Sequence, residues 1–170
     1  AKAAGFTNEA GVNRSIRFLK NIAGLWLVQE CRRYWVSQGR EMSYAELTTL
    51  ASQAKRFAVI DPSRSEFMLP GDMPPKIETF CKATGQEVPS SPGDFILTCL
   101  ATLALPYRRT LESLEQLLGR KIDTIHIVGG GTQNKLLNQL TADACNRKVI
   151  AGPVEATAIG NLLVQAMAAK

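Results

Sequence analysis

The stretch best suited to chemistry is Ile127-Val128-Gly129-Gly130-Gly131-Thr132-Gln133-Asn134. A β-branched run ends in three glycines and opens into a helical pattern. Such a turn places bare backbone N–H groups at a helix N-terminus, and the missing Cβ atoms let a ligand lie against the backbone. The geometry suits a phosphate or the ribose end of a nucleotide. The string is neither G-x-G-x-x-G nor G-x-x-x-x-G-K-[ST]. Alone it is a weak signal, and a tight turn into a crossover helix explains it equally well.

Other reactive residue types read as structural. His126, the single His, sits among Ile125, Ile127 and Val128. It reads as a satisfied sheet histidine, because no Ser, Cys or carboxylate has a sequence reason to pair with it. Cys31, Cys81, Cys99 and Cys145 show neither C-x-x-C nor zinc spacing and read as reduced core thiols. Asp143 reads as a helix residue bonding nearby backbone, and Glu155 as a first-turn complement to a helix dipole. Trp26, Tyr34 and Trp35 read as packing. No residue of the chain is assigned a catalytic role or a metal.

The elements that must position the glycines follow from pattern. Thr124–Val128 and Lys148–Ala151 read as strands, joined by an amphipathic helix from Asn134 to about Asn146. A small-residue helix follows Gly152-Pro153, and Ala156, Ala158 and Gly160 suggest that it presses on the sheet. Strand, helix, strand is a βαβ unit, so the two strands run parallel.

Upstream the chain is helix-rich. Val12, Ile16, Leu19, Ala23, Trp26 and Leu27 fall at helical spacing, which predicts one helix running to about Trp35 and stopping at Gly39, with Gly24 allowing a close neighbour. Ser43 with Glu46 forms a capping box for a helix to about Lys55. Residues 57–75, rich in Pro, read as irregular, with Phe67-Met68-Leu69 as a short extended piece. A helix from Pro75 to about Ala83 stops at Gly85. Ser91 as N-cap and Pro92 at the first position start a long helix to Gly119. Pro106 inside it predicts a kink or a split.

Composition excludes several classes. The chain has 170 residues, 45% hydrophobic and 21% charged, enough for about one domain with a core. Its net charge of +5 comes from 20 Lys and Arg against 15 Asp and Glu. The basic residues are scattered among acidic ones and aromatics are only 6%, so no nucleic-acid stripe forms. No apolar run approaches the ~18 residues of a membrane span. The start AKAAGFTNEAG has no export signal, which points to the cytoplasm. Both ends read as cuts in a longer protein.

The string IHIVGGGTQNKLLNQLTADACNRKVIAGPVEATAIGN resembles the adenosine-motif region of FGGY carbohydrate kinases, in the rhamnulokinase branch. TNEAGVNRSIRFLKNIAGLWLVQECRRYW resembles the same branch's segment leading into its first long C-lobe helix. The resemblance runs from about Thr7 to Gln165. It implies an α/β fold: a partial RNase-H-like lobe of the actin/Hsp70/sugar kinase ATPase architecture, occupying residues 1–170 as the C-terminal nucleotide-binding lobe, incomplete at both ends. It further implies ATP or ADP bound at Gly129, Gly130, Gly131 and Asn134. Arg17 stands where relatives often carry a nucleotide-contacting Gln, and an Arg there can stack on adenine or meet a phosphate. Asn8 matches a position near the sugar end of the cleft.

The resemblance also says what lies elsewhere. The family's catalytic carboxylate, the Gly-Thr turn holding the β- and γ-phosphates, and the N-terminal lobe precede this segment. Mg²⁺ would be held mainly by that lobe. The whole enzyme would phosphorylate the C1 hydroxyl of L-rhamnulose or a related ketose, as a step in rhamnose catabolism, and the chain alone is expected to be inactive. The alternatives are the C-lobe of an FGGY kinase for fuculose, xylulose or glycerol, and a non-catalytic nucleotide-binding or interaction fragment.

Overall fold

The computed structural model describes residues 4–169 and divides into two compact units, Ala23–Pro106 and Ala1–Ile22 with Tyr107–Lys170. Each is described by itself. The first is helical. Its helices are α1 (Trp26–Ser37), α2 (Tyr44–Gln53), α3 (Ser65–Met68), α4 (Met73–Thr84) and the beginning of α5 (Pro92–Leu118).

Local chemistry sets the start of α2, the end of α4 and the start of α5 as the sequence predicts. The Ser43 hydroxyl accepts from the Glu46 N–H at 3.2 Å and the Glu46 carboxylate accepts from the Ser43 N–H at 2.7 Å, closing the capping box of α2. Two prolines occupy the first turn of α4, and Gly85 ends it with φ at +67°. At the start of α5 the Ser91 hydroxyl accepts from the Asp94 N–H, while the Asp94 carboxylate accepts from Ser90 and Ser91. Burial pushes the Asp94 carboxyl up, but these hydrogen bonds outweigh it and hold it below the usual range.

The core of this unit joins Leu27, Cys31 and Trp35 with Leu47, Phe67, Ile77, Leu100 and Leu103, all buried. Two threonines one turn apart on α5 add a polar seam. Thr98 Oγ1 accepts from the Ala58 N–H at 3.1 Å and Thr102 Oγ1 from the Ile60 N–H at 3.2 Å. The Gln86 carboxamide bonds Val59 on both its N–H and its carbonyl, at 2.8 and 3.0 Å. Residues 58–60 are thus fixed without a partner strand. All four cysteines are free and buried, as read from their spacing. The hydrogen bond between Cys31 and Cys99, with sulfurs 3.9 Å apart, followed by burial, holds the Cys31 thiol well above its ordinary pKa.

Five expectations are corrected here. The single helix over Val12–Trp35 is instead a hairpin followed by an irregular link, and the helix starts only at Trp26. Strands of four residues are too short to display a period of two, so the longer helical spacing dominates the pattern. Gly24 has open space where a side chain would sit; the close approach belongs to Gly93, whose Cβ would lie 2.5 Å from the Leu50 carbonyl oxygen. Phe67-Met68 lies in the one-turn helix α3, not in an extended piece. Pro106 splits nothing, because α5 is continuous through it, although the boundary between the units falls there. The strands number four among the described residues, not two.

The second unit holds those strands. The hairpin pairs β1 (Thr7–Ala10) with β2 (Ile16–Leu19) in antiparallel register, Asn8 opposite Phe18 and Glu9 opposite Arg17. Asn13 and Arg14 turn the chain with φ at +56° and +58°, a conformation Asn tolerates better than most residues. The unit continues with the end of α5 and the expected parallel pair, β3 (Thr124–Ile127) and β4 (Lys148–Ala151). They are joined by α6 (Lys135–Cys145), and α7 (Ala156–Ala168) follows. His126 is exposed on β3 rather than enclosed in a sheet. Helix α7 has no buried residue, and a Cβ at Gly160 would meet nothing within 4 Å, so the expected tight packing on the sheet is absent. A two-stranded sheet is too narrow to cover such a helix.

Candidate functional site

The glycine turn lies between β3 and α6. Gly129 has φ +84° and ψ −169°, a conformation essentially closed to residues with a Cβ. Gly130–Gln133 then form a single 3-10 turn. The Gly129 carbonyl accepts from both the N–H and the hydroxyl of Thr132, at 3.1 and 2.8 Å. A Cβ built at Gly130 or Gly131 would meet nothing within 4 Å. The space above these backbones is therefore open, as a ligand lying against them requires.

Asn134 closes the turn. Its N–H donates to the Gly131 carbonyl at 3.2 Å, and its Oδ1 accepts from the Leu137 N–H at 2.9 Å as the N-cap of α6. Its carboxamide oxygen is thus engaged with the helix. The turn has a second support that the sequence reading missed. Asn138, one helical turn on, donates from Nδ2 to the Thr132 carbonyl at 2.9 Å, while its buried Oδ1 has no partner among the described residues. The signal was Asn at i and i+4 on a helix otherwise patterned with leucines.

A half-buried ion pair anchors the base of the βαβ unit. Arg147, just before β4, donates to the Glu115 carboxylate of α5 at 2.9 Å and to the Ile122 carbonyl at 2.7 Å. The Ile122 N–H also donates to Glu115, at 2.9 Å. That backbone bond, then the guanidinium, hold the Glu115 carboxyl below its usual range.

Asn8 and Arg17 lie on the hairpin. Glu9 and Arg17 are opposite each other and form an ion pair across the strands. Asn8 is opposite Phe18, one position along, so strand alternation sends Asn8 and Arg17 to opposite faces. All six residues singled out from the sequence thus belong to the same unit. Gly129, Gly130, Gly131 and Asn134 form one turn, and Asn8 and Arg17 occupy another element. Among the described residues no three His, Cys, Asp or Glu side chains converge.

The chain is thus helix-rich, with a glycine turn inside a parallel βαβ unit. The FGGY family of carbohydrate kinases, C-terminal domain, matches residues 2–169, and the chain belongs to that family. Individual relatives narrow the likeness. It is 47% identical over 167 residues to a rhamnulokinase of Bacteroides thetaiotaomicron, covering 98% of this chain and 34% of that protein. It is 49% identical over 166 residues to the rhamnulokinase of Enterococcus faecalis, covering 96% and 33%. With the Bacillus subtilis rhamnulokinase the identity is 39%, over 97% and 34%. The chain thus spans about a third of the length of the relatives it matches. A solved structure, the activator of the 2-hydroxyisocaproyl-CoA dehydratase from Clostridium difficile with bound ADPNP, aligns at TM-score 0.46 and 12% identity, over 81% of this chain and 45% of that one. A likeness at that level carries no argument.

Proposed function

We propose that the chain is the nucleotide-side lobe of an ATP-dependent sugar kinase. In the whole protein the γ-phosphate of ATP would pass to the C1 hydroxyl of L-rhamnulose, in rhamnose catabolism in the cytoplasm. The substrate reading is supported by relatives named rhamnulokinase at 39–49% identity along nearly the entire chain. The observation that carries the nucleotide reading is the open backbone of Gly130 and Gly131, unobstructed within 4 Å. Gly129, Gly130, Gly131 and Asn134 would line the nucleotide, Arg17 would offer a cation to its base or phosphates, and Asn8 would lie toward the sugar.

Phosphoryl transfer depends on positioning and on stabilising charge. The residues of this chain supply positioning on one side only. The general base and the N-terminal lobe, which is the partner this reading requires, belong to sequence outside these residues. Mg²⁺ would supply charge neutralisation when bound, and on this reading its ligands would lie mainly in that lobe.

The test has two arms. Titrating the chain with ADP by calorimetry is expected to show one site; no heat at millimolar ADP would overturn the nucleotide reading. A coupled ADP-release assay with L-rhamnulose and the isolated chain is expected to stay at background. Turnover above it would show that the catalytic group lies within these residues after all.

A further inference from the structure

We propose that Ala151–Pro153 is a strap that positions the glycine turn, with Gly152 as the positioning residue on which it depends. The inference rests on the nucleotide-side reading above. Two hydrogen bonds run in opposite directions between the same two segments. The Gly152 N–H donates to the Ile127 carbonyl at 2.8 Å, and the Gly129 N–H donates to the Pro153 carbonyl at 3.1 Å. Together they close a ring around Val128 at the point where β3 becomes the turn.

The ring decides which amides a ligand meets. The Gly129 N–H is committed to the Pro153 carbonyl and is withdrawn from any ligand. Gly130 and Gly131 open the 3-10 turn, where no carbonyl lies one turn back to accept their N–H groups. A Cβ would meet nothing within 4 Å at any of the three glycines, so the commitment of the Gly129 N–H is what sets that residue apart. The turn therefore presents Gly130 and Gly131, and the strap uses Gly129.

Gly152 permits this by lacking a side chain. A Cβ there would lie 3.0 Å from Val128 Cγ1 and 3.3 Å from the Ile127 carbonyl oxygen, the same carbonyl its own N–H must reach. A Cβ at 152 is tighter than an ordinary contact, so Val128 or the strap must give by a few tenths of an ångström, and on this proposal the strap gives way. Pro153 contributes a fixed φ that holds its carbonyl in place and has no N–H of its own to satisfy.

The experiment uses the isotope-labelled 170-residue chain, amide hydrogen exchange read by NMR, and ADP as the probe. In the wild type the Gly129 amide is expected to exchange about tenfold more slowly than those of Gly130 and Gly131. Equal rates overturn the strap. Gly152→Ala is expected to remove that protection and to weaken ADP binding about tenfold. Adding Val128→Ala, which deletes the methyl facing the new Cβ, is expected to restore both to within about threefold of wild type. Unchanged Gly129 exchange in Gly152→Ala, or a double variant no better than the single, overturns the proposal. Failure of wild-type chain to bind ADP would remove the nucleotide reading, while the exchange rates still decide the strap. If Gly152→Ala does not fold, the wild-type exchange comparison decides alone.

Discussion

The unit spanning Ala23–Pro106 and the unit carrying the glycine turn are held together differently. In the first, Leu27, Leu47, Ile77, Leu100 and Leu103 are at most 1% exposed. In the second, Thr141, at 2%, is the one member among the described residues of the largest enclosed side chains, and Leu162 and Leu163 of α7 are 67% and 60% exposed. Every candidate site residue lies in the second. The first unit is fixed by close packing, and the second by specific hydrogen bonds: Gly129 to Pro153, Asn134 to Leu137, Asn138 to Thr132, Arg147 to Glu115. Residues offered to a ligand need open space, which a packed core denies them. The contrast predicts that substitutions in the two units fail by different mechanisms.

The largest effect belongs to the packed unit. Leu100→Ala deletes a fully buried side chain and is expected to cost about 2–5 kcal/mol, measured by urea denaturation. A loss below about 0.5 kcal/mol would break the contrast, since that is the range of surface changes. Next comes Gly93→Ala, whose new Cβ meets backbone at 2.5 Å. It is expected to cost about 1–3 kcal/mol, as overpacking does. Gly130→Ala, with nothing within 4 Å, is its counterpart. It is expected to change stability by less than about 0.5 kcal/mol while weakening ADP binding, a split that melting and calorimetry read together.

A pH effect sharpens the comparison. The Glu115 carboxyl is lowered in the fold by the Ile122 N–H, then by Arg147. A depressed folded pKa means that the unfolded state binds protons first. The stabilisation is therefore complete above the unfolded value of about 4.3 and is lost as pH falls through the folded one. Glu115→Gln is expected to shallow the acid limb of a stability–pH curve without removing it, because Asp94 and Glu46 are lowered too. An unchanged acid limb would show that the ion pair does not anchor the βαβ unit. The smallest effect is expected at Leu162→Ala, within about 0.5 kcal/mol for a side chain so exposed. A cost near 2 kcal/mol would show that α7 is covered in solution.

Legibility followed the range of the interactions involved. The Ser43–Glu46 box, the stop at Gly85 and the start at Ser91-Pro92 are made by residues within four positions of one another, so their types and spacing reveal them. The hairpin at 7–19 was hidden because its strands are four residues each and its apolar positions also fit a helical spacing. Asn13 in the left-handed region was the one local clue. The glycine turn was visible as a turn. Its supports were not, because Pro153 meets Gly129, and Arg147 meets Glu115, across 24 and 32 residues of chain.

The sequence by itself determined the family, the caps of α2 and α5, the parallel βαβ unit and the position of the glycine turn. These follow from motif identity and from periodicities written into short windows. The tertiary structure alone decided which glycines matter and why. Gly129 is needed for its φ, Gly93 for a backbone neighbour that leaves no room for a Cβ, Gly152 for a tight approach to Val128 and the Ile127 carbonyl, and Gly130 and Gly131 for the space above them. A glycine's role depends on what its missing side chain would have touched, and that neighbour is brought up by folding.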